Sequence, residues 1–107
     1  MDCIFCKITS GVIPTQFAAE SEHAVAFNDI TPRQPVHILV VPREHYKDVA
    51  ELTEKNNAVL LDLMHLAREV AVKFTDGSFR LSFNTGSSAG QTVFHAHAHV
   101  TSKTARA

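Results

Sequence analysis

Three histidines fall within five residues near the end of this 107-residue sequence, in the run Phe94-His95-Ala96-His97-Ala98-His99-Val100. Alternate side chains of a β-strand project to opposite faces. Read as a strand, the run puts the three imidazoles on one face and Phe94, Ala96, Ala98 and Val100 on the other. One metal ion cannot take all three: residues i and i+4 of a strand lie ~13 Å apart, and a zinc–nitrogen bond is only ~2 Å. A row of imidazoles suits an extended anion such as a phosphate better. Imidazole, with an ordinary pKa near ~6.5, can donate hydrogen bonds, accept them or attack, and a neutral ring whose tautomer is held by a neighbour is a competent nucleophile. The plainer alternative is three surface histidines on an edge strand, against which the strict alternation argues.

Other residues of chemical interest are less specific on their own. Cys3-x-x-Cys6 is half of a zinc site. A redox role would need a thioredoxin-like βαβ context, which the flanking sequence lacks, and a structural disulfide is disfavoured in a cytoplasmic protein. His37 stands alone in an apolar run and by itself reads as a satisfied core histidine. Asp29 precedes Thr31-Pro32 and reads at least equally well as a turn initiator. The Gly-containing stretch before the histidines reads by itself as a turn. His23 and His65 read as surface residues without a role.

The elements that must position these residues follow from periodicity. Ile4 to Ser10 forms a short helix stopped by Gly11 and Pro14. Phe17–Glu20 and His23–Asn28 read as short strands with Ser21-Glu22 as a turn, and Asp29–Pro35 as a loop. His37–Val41, compact and β-branched, reads as a buried strand ended by Pro42. Thr53 to Phe74 is predicted as one long helix with Thr53 as N-cap. Its buried stripe is Leu60, Leu63, Met64, Ala67, Val70, Ala71 and Phe74 at i, i+3, i+4, i+7 spacing, which makes Met64 a core residue; Asp62, His65, Glu69 and Lys73 lie off it. Asp76-Gly77 ends the helix. Phe79–Asn84 alternates as a half-buried strand, Thr85–Gln91 is a loop, and Phe94–Val100 is the last strand. The fold class this implies is α+β, an antiparallel sheet of about five strands with one long helix and a short N-terminal helix.

Composition sets the frame. One domain spanning residues 1–107 fits the length. Hydrophobic residues at 45% and charged residues at 20% argue against disorder. A net charge of −1 and the absence of a basic run argue against a nucleic-acid partner. No apolar stretch reaches the ~20 residues of a membrane span, and Met1-Asp2-Cys3-Ile4-Phe5-Cys6 lacks the form of a signal peptide, so a soluble cytoplasmic protein with no membrane partner is expected.

The run His95-Ala96-His97-Ala98-His99-Val100-Thr101 resembles the signature of the histidine-triad family. Cys3-Ile4-Phe5-Cys6-Lys7-Ile8 resembles its N-terminal segment, and Ala26-Phe27-Asn28-Asp29-Ile30 with Pro32, Pro35 and His37 resembles its nucleoside-binding segment. Val41-Pro42-Arg43-Glu44-His45, Asn84 and Gly90-Gln91-Thr92 match as well, so the resemblance runs from residue 3 to about 101. It is strongest to the branch that hydrolyses nucleoside phosphoramidates.

The resemblance implies that His97 is the nucleophile toward a nucleotide α-phosphorus, through a covalent nucleotidyl-histidine intermediate. It implies that His99 and His37 bind phosphate oxygens, that Asn84 and the loop with Gly90 and Gln91 offer amide donors, and that Thr92 stands where members carry a serine that protonates the departing amine. The nucleoside would lie among Ile4, Phe5, Ile8, Phe27, Ile30 and Leu39, with Asp29 on the ribose hydroxyls. Some branches hold a structural zinc on the positions of Cys3, Cys6, His45 and His95; the alternative is a pair of buried thiols. Members usually form homodimers by pairing long helices and extending the sheet. Longer members carry a C-terminal tail, often with a tryptophan, that helps shape the site, whereas this chain has no tryptophan.

The expected activity is hydrolysis of purine nucleoside 5′-phosphoramidates or related 5′-phosphate derivatives, with AMP as the simplest ligand and no organic cofactor. The alternatives are a dinucleoside polyphosphate hydrolase or nucleotidyl transferase, and a nucleotide-binding scaffold with little turnover. A purely zinc-binding module is a further, weaker reading.

Overall fold

A computed structural model describes residues 3–106. The elements are α1 (Ile4–Thr9), β1 (Ala19–Glu20), β2 (Ala24–Asn28), β3 (Val36–Pro42), α2 (Val49–Lys55), α3 (Asn57–Phe74), β4 (Arg80–Ser82) and β5 (Ala98–Ser102), with a single 3₁₀ turn at Ser87–Ala89. The strands form one sheet in the order β1-β2-β3-β5-β4, and every neighbouring pair is antiparallel. This is the expected α+β fold, with three helices rather than two.

The two faces of the sheet carry different cores. Ala24, Ala26, Ile38, Val40, Ala98 and Val100 face α3, which buries Val59, Leu63, Leu66, Ala67, Val70 and Ala71 against them. Val25, Phe27, Leu39 and Val41 face the other way and pack with Phe5 and Ile8 of α1. β3 is therefore covered on both faces and all seven of its residues are buried, which is why it reads as an unbroken apolar run rather than an alternation. Alanines at Ala67, Ala71, Ala96 and Ala98, each at most 1% exposed, bring helix and sheet backbones close.

The predicted long helix is two helices. The chain breaks at Asn56, whose backbone (φ −153°, ψ 87°) leaves the helical region and whose side chain accepts a bond from Val59 N. Its amide group also donates to the Tyr46 hydroxyl at 3.1 Å. An asparagine that can serve a helix start and a tertiary partner at once favours the break. Thr53 is not a cap: it lies inside α2 and its hydroxyl donates to Ala50 O. The cap of α2 is Asp48, which accepts from Glu51 N, while Glu51 accepts from Lys47 N.

The buried stripe is also rotated from the predicted one. Val59 and Leu66 are inside, Leu60 and Phe74 are only partly buried, and Met64 is 36% exposed, so Met64 is not core. The sequence Val59-Leu60-Leu61 offers nearly equivalent apolar stripes, and contact with the sheet selects between them.

The strands are shorter than predicted at several ends. β1 begins at Ala19 rather than Phe17, and β4 covers only Arg80–Ser82 with Phe79 exposed. The last strand begins at Ala98, and residues 93–95 bend, which leaves Phe94 exposed. Ala96 N nevertheless donates to Tyr46 O at 2.6 Å, and Ala96 stays on the α3 side. The alternation of faces thus survives where the ladder pairing does not.

Candidate active site and metal centre

The three histidines do not act as one row. His95 and His97 precede β5 and are 0% and 7% exposed, and His99 lies on β5, the strand between β3 and β4. They are not surface residues on an edge strand. Each ring meets a different set of partners, and those partners decide which nitrogen carries the proton.

His97 Nδ1 lies 2.7 Å from the carbonyl oxygen of His95. A carbonyl can only accept, so this nitrogen bears the hydrogen and Nε2 keeps its lone pair. Burial holds the His97 imidazole below its ordinary pKa, against the opposing pull of the His95 carbonyl and Asp29. The ring is neutral at neutral pH, with the tautomer a nucleophile needs. Phe5 packs edge-on against it, with centroids 5.0 Å apart.

A second chain of bonds sets His99. Arg33 N donates to His37 Nδ1 at 3.2 Å, so the proton of His37 sits on Nε2. That nitrogen is 3.0 Å from His99 Nδ1 and 3.5 Å from a carboxylate oxygen of Asp29. His99 Nδ1 accepts, which leaves its Nε2–H as a donor. The register makes this contact possible: β3 and β5 pair Leu39 with His99 and His37 with Thr101, so His37 lies diagonal to His99 on the same face. Burial, reinforced by the unfavourable company of neighbouring imidazoles that would repel a second positive charge, pushes His99 down to about 4.

His97 and His99 line a cavity of about 600 Å³. Its apolar wall is built by Ile4, Phe5 and Ile8 of α1 with Phe27, Leu39 and Ile30, and its polar rim includes Asp29, Asn84, Gly90 and Thr92. Ile30 is 95% exposed and stands at the edge rather than inside. Asp29 Oδ1 accepts from both Thr31 N and the Thr31 hydroxyl, so its turn-forming and site-lining readings are compatible.

Two of the expected site residues lie behind the cavity wall. His37 does not line the cavity: it is 6% exposed and lies behind His99. Its place is to orient His99, because strand register puts it one layer back. Gln91 does not line the cavity either. It is 3% exposed, donating to Lys47 O and Val93 O and accepting from Gly86 N, so it braces the loop from behind. Asn84 donates to Ala89 O at 2.8 Å. Gly90 has φ +94°, a left-handed backbone that glycine adopts without strain, so glycine serves the turn.

The cavity also recruits Ile13, Pro14, Thr15, Arg33 and Val93. None lies in a periodic segment or a recognisable motif, which is why sequence reasoning missed them.

On the far side of His95 lies a second cluster. Cys3 Sγ is 3.3 Å and Cys6 Sγ 3.5 Å from His95 Nδ1, and Cys6 Sγ is 3.4 Å from His45 Nδ1. The two Nδ1 atoms are 3.2 Å apart, and all four donor atoms lie within 4.8 Å of one another. Ligands at zinc bond lengths in a tetrahedron are separated by about 3.3–3.8 Å, so the spacing fits. His95 Nε2 lies 2.9 Å from Pro42 O, which keeps its proton there and frees Nδ1 to coordinate. Burial lowers His95 to about 4, so the ring is neutral as a ligand must be. These four residues could hold a metal ion.

Comparison with known proteins agrees with this geometry. The family model described as "Scavenger mRNA decapping enzyme C-term binding" matches residues 2–107. Protein HitA of Neisseria gonorrhoeae is 39% identical over 101 residues, covering 92% of this chain and 94% of that protein. A HIT family hydrolase from Clostridium thermocellum superimposes with a TM-score of 0.86 at 40% identity, covering 94% of this chain and 89% of the other. A histidine triad protein from Clostridium difficile does so with a TM-score of 0.87 at 38% identity, covering 100% and 92%. A histidine triad nucleotide-binding protein from Sulfolobus tokodaii reaches 0.79 at 30% identity, over 92% and 67%. With the fold, the order of its motifs and these relatives in agreement, the chain belongs to the histidine-triad family.

Proposed function

We propose that this chain is a nucleotide-binding hydrolase that cleaves purine nucleoside 5′-phosphoramidates, or closely related 5′-phosphate derivatives, through a covalent nucleotidyl-histidine intermediate. The observation that carries the reading is the His97 tautomer: Nδ1–H is tied to the His95 carbonyl, and Nε2 is left as the lone-pair atom of a ring lining an apolar cavity. The base lies among Phe5, Ile8, Phe27 and Leu39, with Ile4 and Ile30 at the edge, and the ribose hydroxyls meet Asp29. His97 Nε2 attacks the α-phosphorus, the phosphorus–nitrogen bond to the leaving amine breaks, and Thr92 supplies a proton to that amine. Water then displaces His97, its proton restoring the Thr92 hydroxyl, and the nucleoside monophosphate is released. His99 Nε2–H donates to a phosphoryl oxygen as charge builds there.

Cys3, Cys6, His45 and His95 hold a structural zinc. The ion would supply no step of the reaction; it clamps the N-terminal segment to the strand that carries His97. The chain acts as one cytoplasmic domain and pairs as a homodimer. Support for pairing is the exposed face of α3, where Leu61 is 60% and Val72 48% exposed.

The test is turnover of adenosine 5′-phosphoramidate by the wild type and by His97→Ala. Loss of a nucleophile lowers kcat by roughly a million-fold, and alkaline denaturing quench of the wild type, which spares the acid-labile phosphorus–nitrogen bond, traps AMP on protein. Equal turnover by the two proteins removes His97 from the role.

A further inference from the structure

Among the charged side chains of the described residues that line the cavity, Asp29 is anionic and Arg33 is the only permanent cation. The other arginines that hold fixed positions are occupied: Arg43 binds Glu20 and Ser21 O, and Arg106 binds Val72 O. The Arg33 guanidinium makes no hydrogen bond or ion pair with any described residue. Its backbone is fixed nonetheless, because Arg33 N donates to His37 Nδ1, one bond away from His99. The guanidinium is near enough to His99 to help lower that ring's pKa. Asp29 does not neutralise it; that carboxylate is engaged by Thr31 and lies 3.5 Å from His37.

An unpaired guanidinium on a cavity wall suits a phosphate, which it can meet with two parallel hydrogen bonds. The α-phosphate is already served by His97 and His99. We infer that Arg33 receives a second phosphoryl group of the nucleotide, making it a specificity-determining residue for substrates that carry more charge than a simple monophosphate. This rests on the nucleotide reading above and extends it. Two positions meet the same chemistry, a β-phosphate beyond the α-phosphorus and a 3′-phosphate on the ribose. Asp29 and Arg33 line the same cavity, on the segment between β2 and β3.

The experiment is calorimetric titration of the wild type, Arg33→Gln and Arg33→Lys with three ligands: AMP, the non-hydrolysable α,β-methylene ADP, and adenosine 3′,5′-bisphosphate. Arg33 is exposed and its backbone bond survives substitution, so the variants fold; thermal melts verify this. The wild type is expected to bind one two-phosphate ligand about tenfold more tightly than AMP. Arg33→Gln loses that advantage, Arg33→Lys restores part of it, and AMP affinity changes less than about twofold. Whichever ligand carries the advantage names the position of the second phosphate. If AMP binds but neither two-phosphate ligand gains over it, or Arg33→Gln weakens all three ligands equally, the inference is overturned while the nucleotide reading stands. If none of the three binds the wild type, both fall together.

Discussion

His37→Leu removes the one side chain that tells His99 which nitrogen to protonate. His37 is 6% exposed and bridges Arg33 N and His99 Nδ1. Leucine fills much of the same volume but leaves both of those atoms without their partner. A buried polar group stranded in this way costs about 1–3 kcal/mol. If the whole of that falls on the transition state, at about 1.4 kcal/mol per decade, kcat drops roughly 5- to 150-fold, with little change in the affinity for AMP. The control is His37→Gln, whose side-chain amide can still donate to His99 Nδ1 and recovers much of the loss. Phosphoramidate turnover gives kcat and KM, and nitrogen-15 NMR of the histidine rings reports the His99 tautomer directly. A His37→Leu protein with unaltered His99 tautomer and kcat within twofold of wild type would refute the bonding chain from Arg33 through His37 to His99.

Other perturbations separate the scaffold from the site. Leu63 is 0% exposed at the centre of the α3 stripe, so Leu63→Ala is expected to cost about 2–5 kcal/mol, measured by urea unfolding; a loss below ~1 kcal/mol would place the helix–sheet contact elsewhere. On the zinc proposal, chelation or Cys3→Ser is expected to lower Tm and zinc content together and to lower kcat as well, because the His95 ring lies in the cysteine–histidine cluster while its carbonyl holds His97. Unchanged melting after complete metal removal would sink that link. Acid sensitivity follows from His99: its folded pKa of about 4 lies below the ordinary value of 6.5. The unfolded chain therefore binds the proton first, and stability is full above about pH 6.5 and declines as pH falls toward 4. Urea midpoints across that window should fall less steeply for His99→Asn, and identical slopes would show that His99 does not contribute.

Most of the site was legible in the residues because its chemistry is concentrated in short segments. The alternation of His95, His97 and His99 with alanines announced one polar and one apolar side, and the faces hold even where β5 has not yet begun. The apolar residues of α1 and β2 pointed to a cavity wall only through the family pattern, since nothing local separates Phe27 in a cavity wall from Phe27 in a core. Arg33 gave no signal, because a lone cation between prolines looks like solvated surface until the loop is folded against His37.

Local periodicity determined that this chain makes an antiparallel sheet under a long helix, and residue type singled out the imidazoles and thiols as its candidate chemical groups. Tertiary structure alone decided how those groups are divided. The break at Asn56 depends on Tyr46, ten residues away, and the choice among near-equal stripes on α3 depends on the sheet beneath it. The register Leu39–His99 put His37 in a buried place behind His99. The division of the three histidines between a cysteine–histidine cluster and a cavity rests on Pro42 O, His95 O and Arg33 N, backbone groups whose directions are set only when distant segments pack. Those directions assign each proton, and the sequence carries no local trace of them.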